Sequence, residues 1–295
     1  MRASSANRPY LAVAALCLVI ALVAAGTAAA GVFLRGDGST APATSIRGEQ
    51  FEFATTGVYA YNAERIVAEG VGWDVVTLLF AAPALLLAVP SIARGSLRGR
   101  LFALGILSYF VYQYLMYAVF WALGPLFPLF VVVYSSAAIA IVWIVSGIDV
   151  AALPSQVSNR FPRKGMAVFC GLICLALLGM WVPRIATGMS GDMAGAGLFG
   201  MPTLTVQAMD LGMIVPLAVA TGVFVWKARP WGYLLATVLA VKGVTMAGAI
   251  CAMLVSAALV EGSLEVVPFA IFGAFTLSAG WLAARMFRSL GVAAA

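Results

Sequence analysis

Lys242 stands inside the apolar stretch WGYLLATVLAVKGVTMAGAICAMLVS, residues 231–256. At about 1.5 Å rise per residue, it lies about 18 Å into a hydrocarbon layer about 30 Å thick. An ammonium group at that depth is costly, so it needs a partner, a wet pocket or a role. Three chemistries compete. Lys242 can form an ion pair with Asp210, it can be a neutral amine that acts as a proton carrier or substrate contact, or it can hold a chromophore through a Schiff base. The ion pair is geometrically open. Asp210 is expected about three residues into the sixth span, and helix rise puts the two Cα atoms about 7 Å apart in depth. A lysine stem bridges most of that gap. The Schiff-base reading is the weakest, because no carboxylate lies one turn away and the aromatic surround is incomplete.

A second polar set lies in SYFVYQYLMYAVFW, residues 108–121. Tyr109, Gln113 and Tyr117 recur every fourth residue and share one helix face, with Tyr112 at its border. Tyrosines ordinarily gather at the membrane interface, so four close to the midplane require hydrogen-bond partners or water. Tyr134, with Ser135 and Ser136, is expected at similar depth in the next span, and Thr245 lies one turn from Lys242. The sequence therefore predicts a polar cavity between spans three, four and seven. The competing explanation is interhelical hydrogen bonding that only fastens the bundle; it accounts for Ser, Thr and Tyr better than for a charge. Asp74 and Asp210 are expected at the starts of spans two and six, near the outer mouth. Glu261 and Glu265, which flank the last outer turn, read as solvated.

These residues need a bilayer around them, and the composition supplies the reason. Hydrophobic residues make up 63% of 295 and charged residues 9%. A soluble domain carries about one quarter charged residues, and its surface could not hide this much apolar area. The fold class is therefore all-α, a polytopic integral membrane bundle. Eight spans are predicted, at 10–33, 73–93, 101–122, 126–147, 165–183, 207–227, 231–256 and 266–286. Segments on one side hold twelve of the 17 basic residues, those on the other hold four, and Lys242 is the remaining one. The positive-inside rule then places both termini in the cytoplasm. Location in a bacterial inner (plasma) membrane is expected. The first span also fits a signal peptide, but the run Leu11–Val32 is long for one.

The outer segments 34–72 and 184–206 are long. The first contains VYAYNAERIVAE, a candidate interfacial helix, and the second is Gly- and Met-rich. They follow spans one and five, which suggests a parallel repeat of two four-span halves, residues 1–150 and 151–295. Gln113 and Lys242 would then sit at one depth in equivalent helices.

Several chemistries are excluded or disfavoured. With no histidine, His-ligated haem, His-based zinc and His-dependent catalysis are excluded. All four cysteines lie in spans, so a disulfide framework is not expected, and Cys170 and Cys174 read as apolar filler. No phosphate-binding loop or nucleophile elbow is present, so no catalytic residue, metal site or cofactor is assigned. No basic stripe points to nucleic acid. The expected partner is the lipid bilayer, with an unknown membrane protein or a second copy left open. The leading functional expectation is a secondary transporter or permease for a small substrate, anionic or proton-coupled, using Lys242. A non-catalytic membrane subunit or sensor is the alternative, and a membrane-embedded lipid-modifying enzyme is the second alternative.

Overall fold

The computed structural model describes residues 8–291; Arg2, counted above among the basic-face charges, lies outside them. Eight helices are long and apolar enough to cross a membrane: α1 Pro9–Phe33, α2 Glu64–Ala93, α3 Leu97–Phe120, α4 Phe127–Ser146, α5 Arg163–Met189, α6 Thr205–Trp226, α7 Pro230–Glu261 and α8 Val266–Ser289. The chain is a multi-pass helical membrane protein. An even number of spans brings both ends to the arginine-rich face.

Some ends differ from those expected. Helix α2 begins at Glu64, so the second half of the segment read as an interfacial helix, residues 64–69, is the first part of the span itself, while residues 58–63 form turns before it. Asp74 is therefore ten residues, about 15 Å, inside α2 rather than at its mouth. Helices α5 and α7 also run on, to Met189 and Glu261. In each case polar residues continue a helix past the apolar run, because neighbouring helix ends or the outer segments receive their side chains.

Helices α2 and α6 share an irregularity. Each contains a π-helical turn, Thr77–Ala81 in α2 and Asp210–Ile214 in α6. Each such turn is closed five residues on, by Ala82 N–H to Thr77 O and by Val215 N–H to Asp210 O. A proline follows directly, Pro83 or Pro216. Proline has no N–H to give and its ring crowds the preceding turn, so a widened turn there relieves both problems.

A constant offset of 133 residues relates these features and continues through the basic hairpins. Gly95 and Ala228 both take positive φ, +71° and +54°. Gly99 packs on Ser91, and Gly232 packs on Phe224. Ser96 and Arg229 precede α3 and α7 with extended backbone. Because α3 starts at Leu97 and not 101, Tyr109 falls at the place in α3 that Lys242 holds in α7. Gln113 is one turn further out.

The packing follows the same scheme. Helix α1 packs on α2 and α4, and α5 packs on α6 and α8. Helices α2, α3, α6 and α7 meet in the middle through α2–α7, α3–α6 and α3–α7 contacts. Small residues permit the close approaches. A Cβ on Gly72 would lie 2.5 Å from Ala252 O and 2.6 Å from Met253 Cα. A Cβ on Gly105 would strike the Val241 side chain. The alanines of α1 at 21, 24 and 28 are fully buried.

Outside the bundle, on the face opposite the arginine-rich one, β1 (Thr40–Thr44) and β2 (Gln50–Ala54) pair antiparallel. Asp37 ties this hairpin down by accepting the Thr56 hydroxyl at 2.6 Å and the Ser39 hydroxyl at 2.7 Å. These donors hold its carboxyl well below the usual carboxylate range. The hairpin meets the α5–α6 connection, where Gly200 N donates to Glu49 Oε2 at 3.0 Å and packs on Phe51.

Candidate functional site: an intramembrane cavity at Lys242

A cavity of about 520 Å³ occupies the second half of the bundle, between α5, α6, α7 and α8 and the outer parts of α2 and α3. Along α7 its lining runs from Leu239 to Leu254. Fifteen residues of helix make it about 22 Å tall. At the rim it includes the exposed Glu265 and Val267, so it reaches the surface opposite the arginine-rich face. At the other end Phe169, Leu239 and Phe275 form an apolar floor.

Lys242 and Asp210 both line this cavity. Asp210 heads the widened turn of α6. Its Oδ1 accepts the Tyr112 hydroxyl at 2.6 Å, and its Oδ2 accepts the Trp181 indole N–H at 2.8 Å. One donor comes from α3 and the other from α5, so a single carboxylate joins three helices. Lys242 is 6% exposed, and its Nζ lies 4.7 Å from the centre of the Tyr112 ring. The negative face of that ring partly compensates the ammonium. Among the described residues, none offers Lys242 Nζ a hydrogen bond or an ion pair within 4.0 Å. The expected contact with Asp210 is thus a neighbouring charge and not a closed salt bridge. The carboxylate is engaged, while the ammonium keeps donor capacity facing the cavity.

The rim carries charge as well. Arg65 of α2 binds Glu69 at 2.9 Å, Glu261 at 2.9 Å and Glu265 at 2.6 Å, linking the ends of α2, α7 and α8. The two acids read as solvated are therefore held in a network. Arg65 also sits over the Phe199 ring, at 5.7 Å, from the α5–α6 connection. Arg184 stacks on Trp181 at 5.4 Å and has no ion pair among the described residues.

The other expected site residues lie elsewhere. Tyr109 shares a hydrogen bond of 2.8 Å with Thr77 in α2. Tyr117 donates towards Gly70 O at 3.1 Å and Asp74 Oδ1 at 3.3 Å. Asp74, 1% exposed, also accepts the Tyr59 hydroxyl at 2.5 Å, and Gly31 leaves the room this requires. This face of α3 therefore turns to α2, away from Lys242. Asp74 is a buried junction of α2, α3 and the outer segment, and does not line the cavity. Gln113 is 1% exposed, and neither of its amide atoms has a protein partner among the described residues. Tyr134 is half-buried on α4, which packs on α1 and α3. The expected cavity between spans three, four and seven is accordingly replaced by one that excludes α4. Thr245 turns its hydroxyl onto the Lys242 carbonyl at 2.9 Å and stays within its own helix.

The sequence pattern passed over Trp181, Arg65 and Arg184. Trp181 sits near the expected end of span five, where an indole reads as an interface anchor. Arg65 fell in the segment assigned to the interface. Tyr112 was marked only as a border residue, yet it is the side chain that joins Asp210 and Lys242. The described residues hold no group of three or more Cys, Asp or Glu side chains placed to bind a metal ion.

The chain matches no protein-family model, no curated protein and no solved structure.

Proposed function

We propose that this chain is a secondary transporter that takes a small substrate from the face opposite its arginine-rich one into the cavity floored near Lys242. The observation that carries the reading is the cavity itself. It is tall, open at one face, and closed by side chains at the other, with a charged pair part-way down. A structural bundle has no need of such a shape, and each unfilled volume costs packing. Lys242 is the substrate or proton contact, Asp210 its neighbour, and Tyr112 and Trp181 position the carboxylate.

The arginine-rich face is then cytoplasmic, in a bacterial inner membrane. The two halves, 1–150 and 151–295, are copies related by an axis along the membrane normal. The constant offset and the matched helix pairs support this relation. Release towards the arginines proceeds by movement of α5 and α8 against the α2–α3–α7 core, which separates Phe169 and Phe275 from Leu239. The widened turns in α2 and α6 are the natural places for bending.

Two-sided labelling tests the proposal. In a variant lacking the four native cysteines, Leu239→Cys should react with a small impermeant thiol reagent from either face of oriented vesicles. Reaction from one face only, under all substrate and gradient conditions, would show a receptor-like pocket instead of a carrier.

A further inference from the structure

We infer that the cavity accepts a single-chain amphiphile with a singly charged oxyanion head, such as a medium-chain carboxylate, whose head sits on Lys242. Transport supplies only the ligand's fate; its chemical class follows from the cavity's own groups.

The polar chemistry is one-sided. Asp210, the acid beside Lys242, already accepts from Tyr112 and Trp181. Lys242 is nine-tenths buried, faces the cavity, and has no acceptor among the described residues. What recognition lacks here is an acceptor, and a charge-assisted bond from an ammonium is among the stronger ones. Asp210 nearby disfavours a dianion, since a second negative charge would meet the carboxylate in a low-dielectric setting.

Above Lys242 the wall is mostly apolar, built from Ile173, Leu177, Met246, Ile250, Ile271 and Phe272, with the Gln207 amide and the Arg65-bound Glu69 nearer the rim. From Lys242 to Leu254 is twelve residues of helix, about 18 Å. A saturated chain advances about 1.3 Å per carbon, given its bond length, so a chain of up to about fourteen carbons, head included, fits beneath the rim. At the rim, Arg184 offers an incoming anion a positive charge that no described carboxylate neutralises. Arg65, by contrast, is held by three acids.

The test uses the full chain in zwitterionic nanodiscs and needs no translocation. Trp73, Trp121 and Trp181 line the cavity, so 12-bromododecanoate bound there quenches tryptophan emission. Decanesulfonate, decanol and decyltrimethylammonium are then compared as competitors. The expected result is a saturable quench displaced by the sulfonate, and far less by the alcohol or the cation. Lys242→Met should weaken binding about tenfold to a hundredfold, the range for one charge-assisted bond. Lys242→Arg should retain it. Equal competition by the cation, or undiminished binding in Lys242→Met, overturns the inference. If Lys242→Met does not fold, the competitor order on the natural chain and the Lys242→Arg result decide alone. Failure here leaves the two-sided labelling of position 239 untouched, so the ligand class and the carrier reading fall separately.

Discussion

Asp210 and Lys242 should be energetically coupled but unequal. Take Asp210→Asn first. It removes the acid beside Lys242 and turns one acceptor into a donor that faces either Tyr112 or Trp181. The charges lie more than 4 Å apart and both line the cavity, and an effective dielectric near 20 is taken for the pair. At about 5 Å that gives about 3 kcal/mol of attraction, an upper bound. Mispairing one donor adds about 1–2 kcal/mol. The single variant should therefore cost at most about 4–5 kcal/mol. Lys242→Met should cost about 1 kcal/mol or less, because removing an ammonium from a poorly solvated site offsets the lost attraction. With Lys242→Met already in place, Asp210→Asn should cost only the mispaired donor. The coupling energy is then about 2–3 kcal/mol. Reversible unfolding in mixed micelles, measured on the two single variants and the double variant, gives this number. Additivity within about 0.5 kcal/mol would refute the idea that the two charges share one electrostatic environment.

Four further outcomes follow from single contacts. Gly72→Val forces a side chain into the Ala252 carbonyl, and a backbone neighbour cannot yield; a loss of about 3 kcal/mol is expected, while Gly26→Val, which meets nothing within 4 Å, should be neutral. The same unfolding assay separates them. Ala228→Gly should stabilise by about 0.5–1 kcal/mol, because alanine at φ +54° bears a steric cost that its counterpart Gly95 avoids. Arg65→Ala frees three carboxylates and releases the ends of α2, α7 and α8, so hydrogen exchange at these ends should quicken more than about fivefold while the bundle centre is unaffected. The outer hairpin should keep its protection as pH falls to about 4. The carboxyl of Asp37 is depressed in the fold, so its contribution is complete above the unfolded value and fades only below it. Loosening of the hairpin between about pH 5 and 7 would contradict that assignment.

Hydropathy carried the architecture. All eight spans were legible, because about twenty apolar residues have few alternatives to a crossing helix. Lys242 was legible for the same reason, as an exception within such a run. Helix ends were less so. The stretch VYAYNAERIVAE, residues 58–69, is amphipathic enough to read as interfacial, and it is the close packing of α2 on α7 at Gly72 that carries residues 64–69 into the span. That error moved Asp74 from the interior to the mouth. A four-residue error at the start of α3 likewise paired Gln113 with Lys242, where Tyr109 belongs. The direction of the tyrosine face was not readable, since period alone says which residues share a side and not which neighbour they meet. Nor was the cavity. It arises from how loosely α5 and α8 meet, and no local pattern reports that.

The most direct check uses the three lysines of the chain, Lys164, Lys227 and Lys242. Lys164 and Lys227 are exposed on the basic face and serve as internal standards. In nanodiscs, reductive methylation followed by mass spectrometry should modify all three, with Lys242 slowed but reached. A bulky polar amine reagent should modify only Lys164 and Lys227. Ready labelling of Lys242 by the bulky reagent, or complete silence towards the small one, would mean that its amine does not face a cavity of this kind.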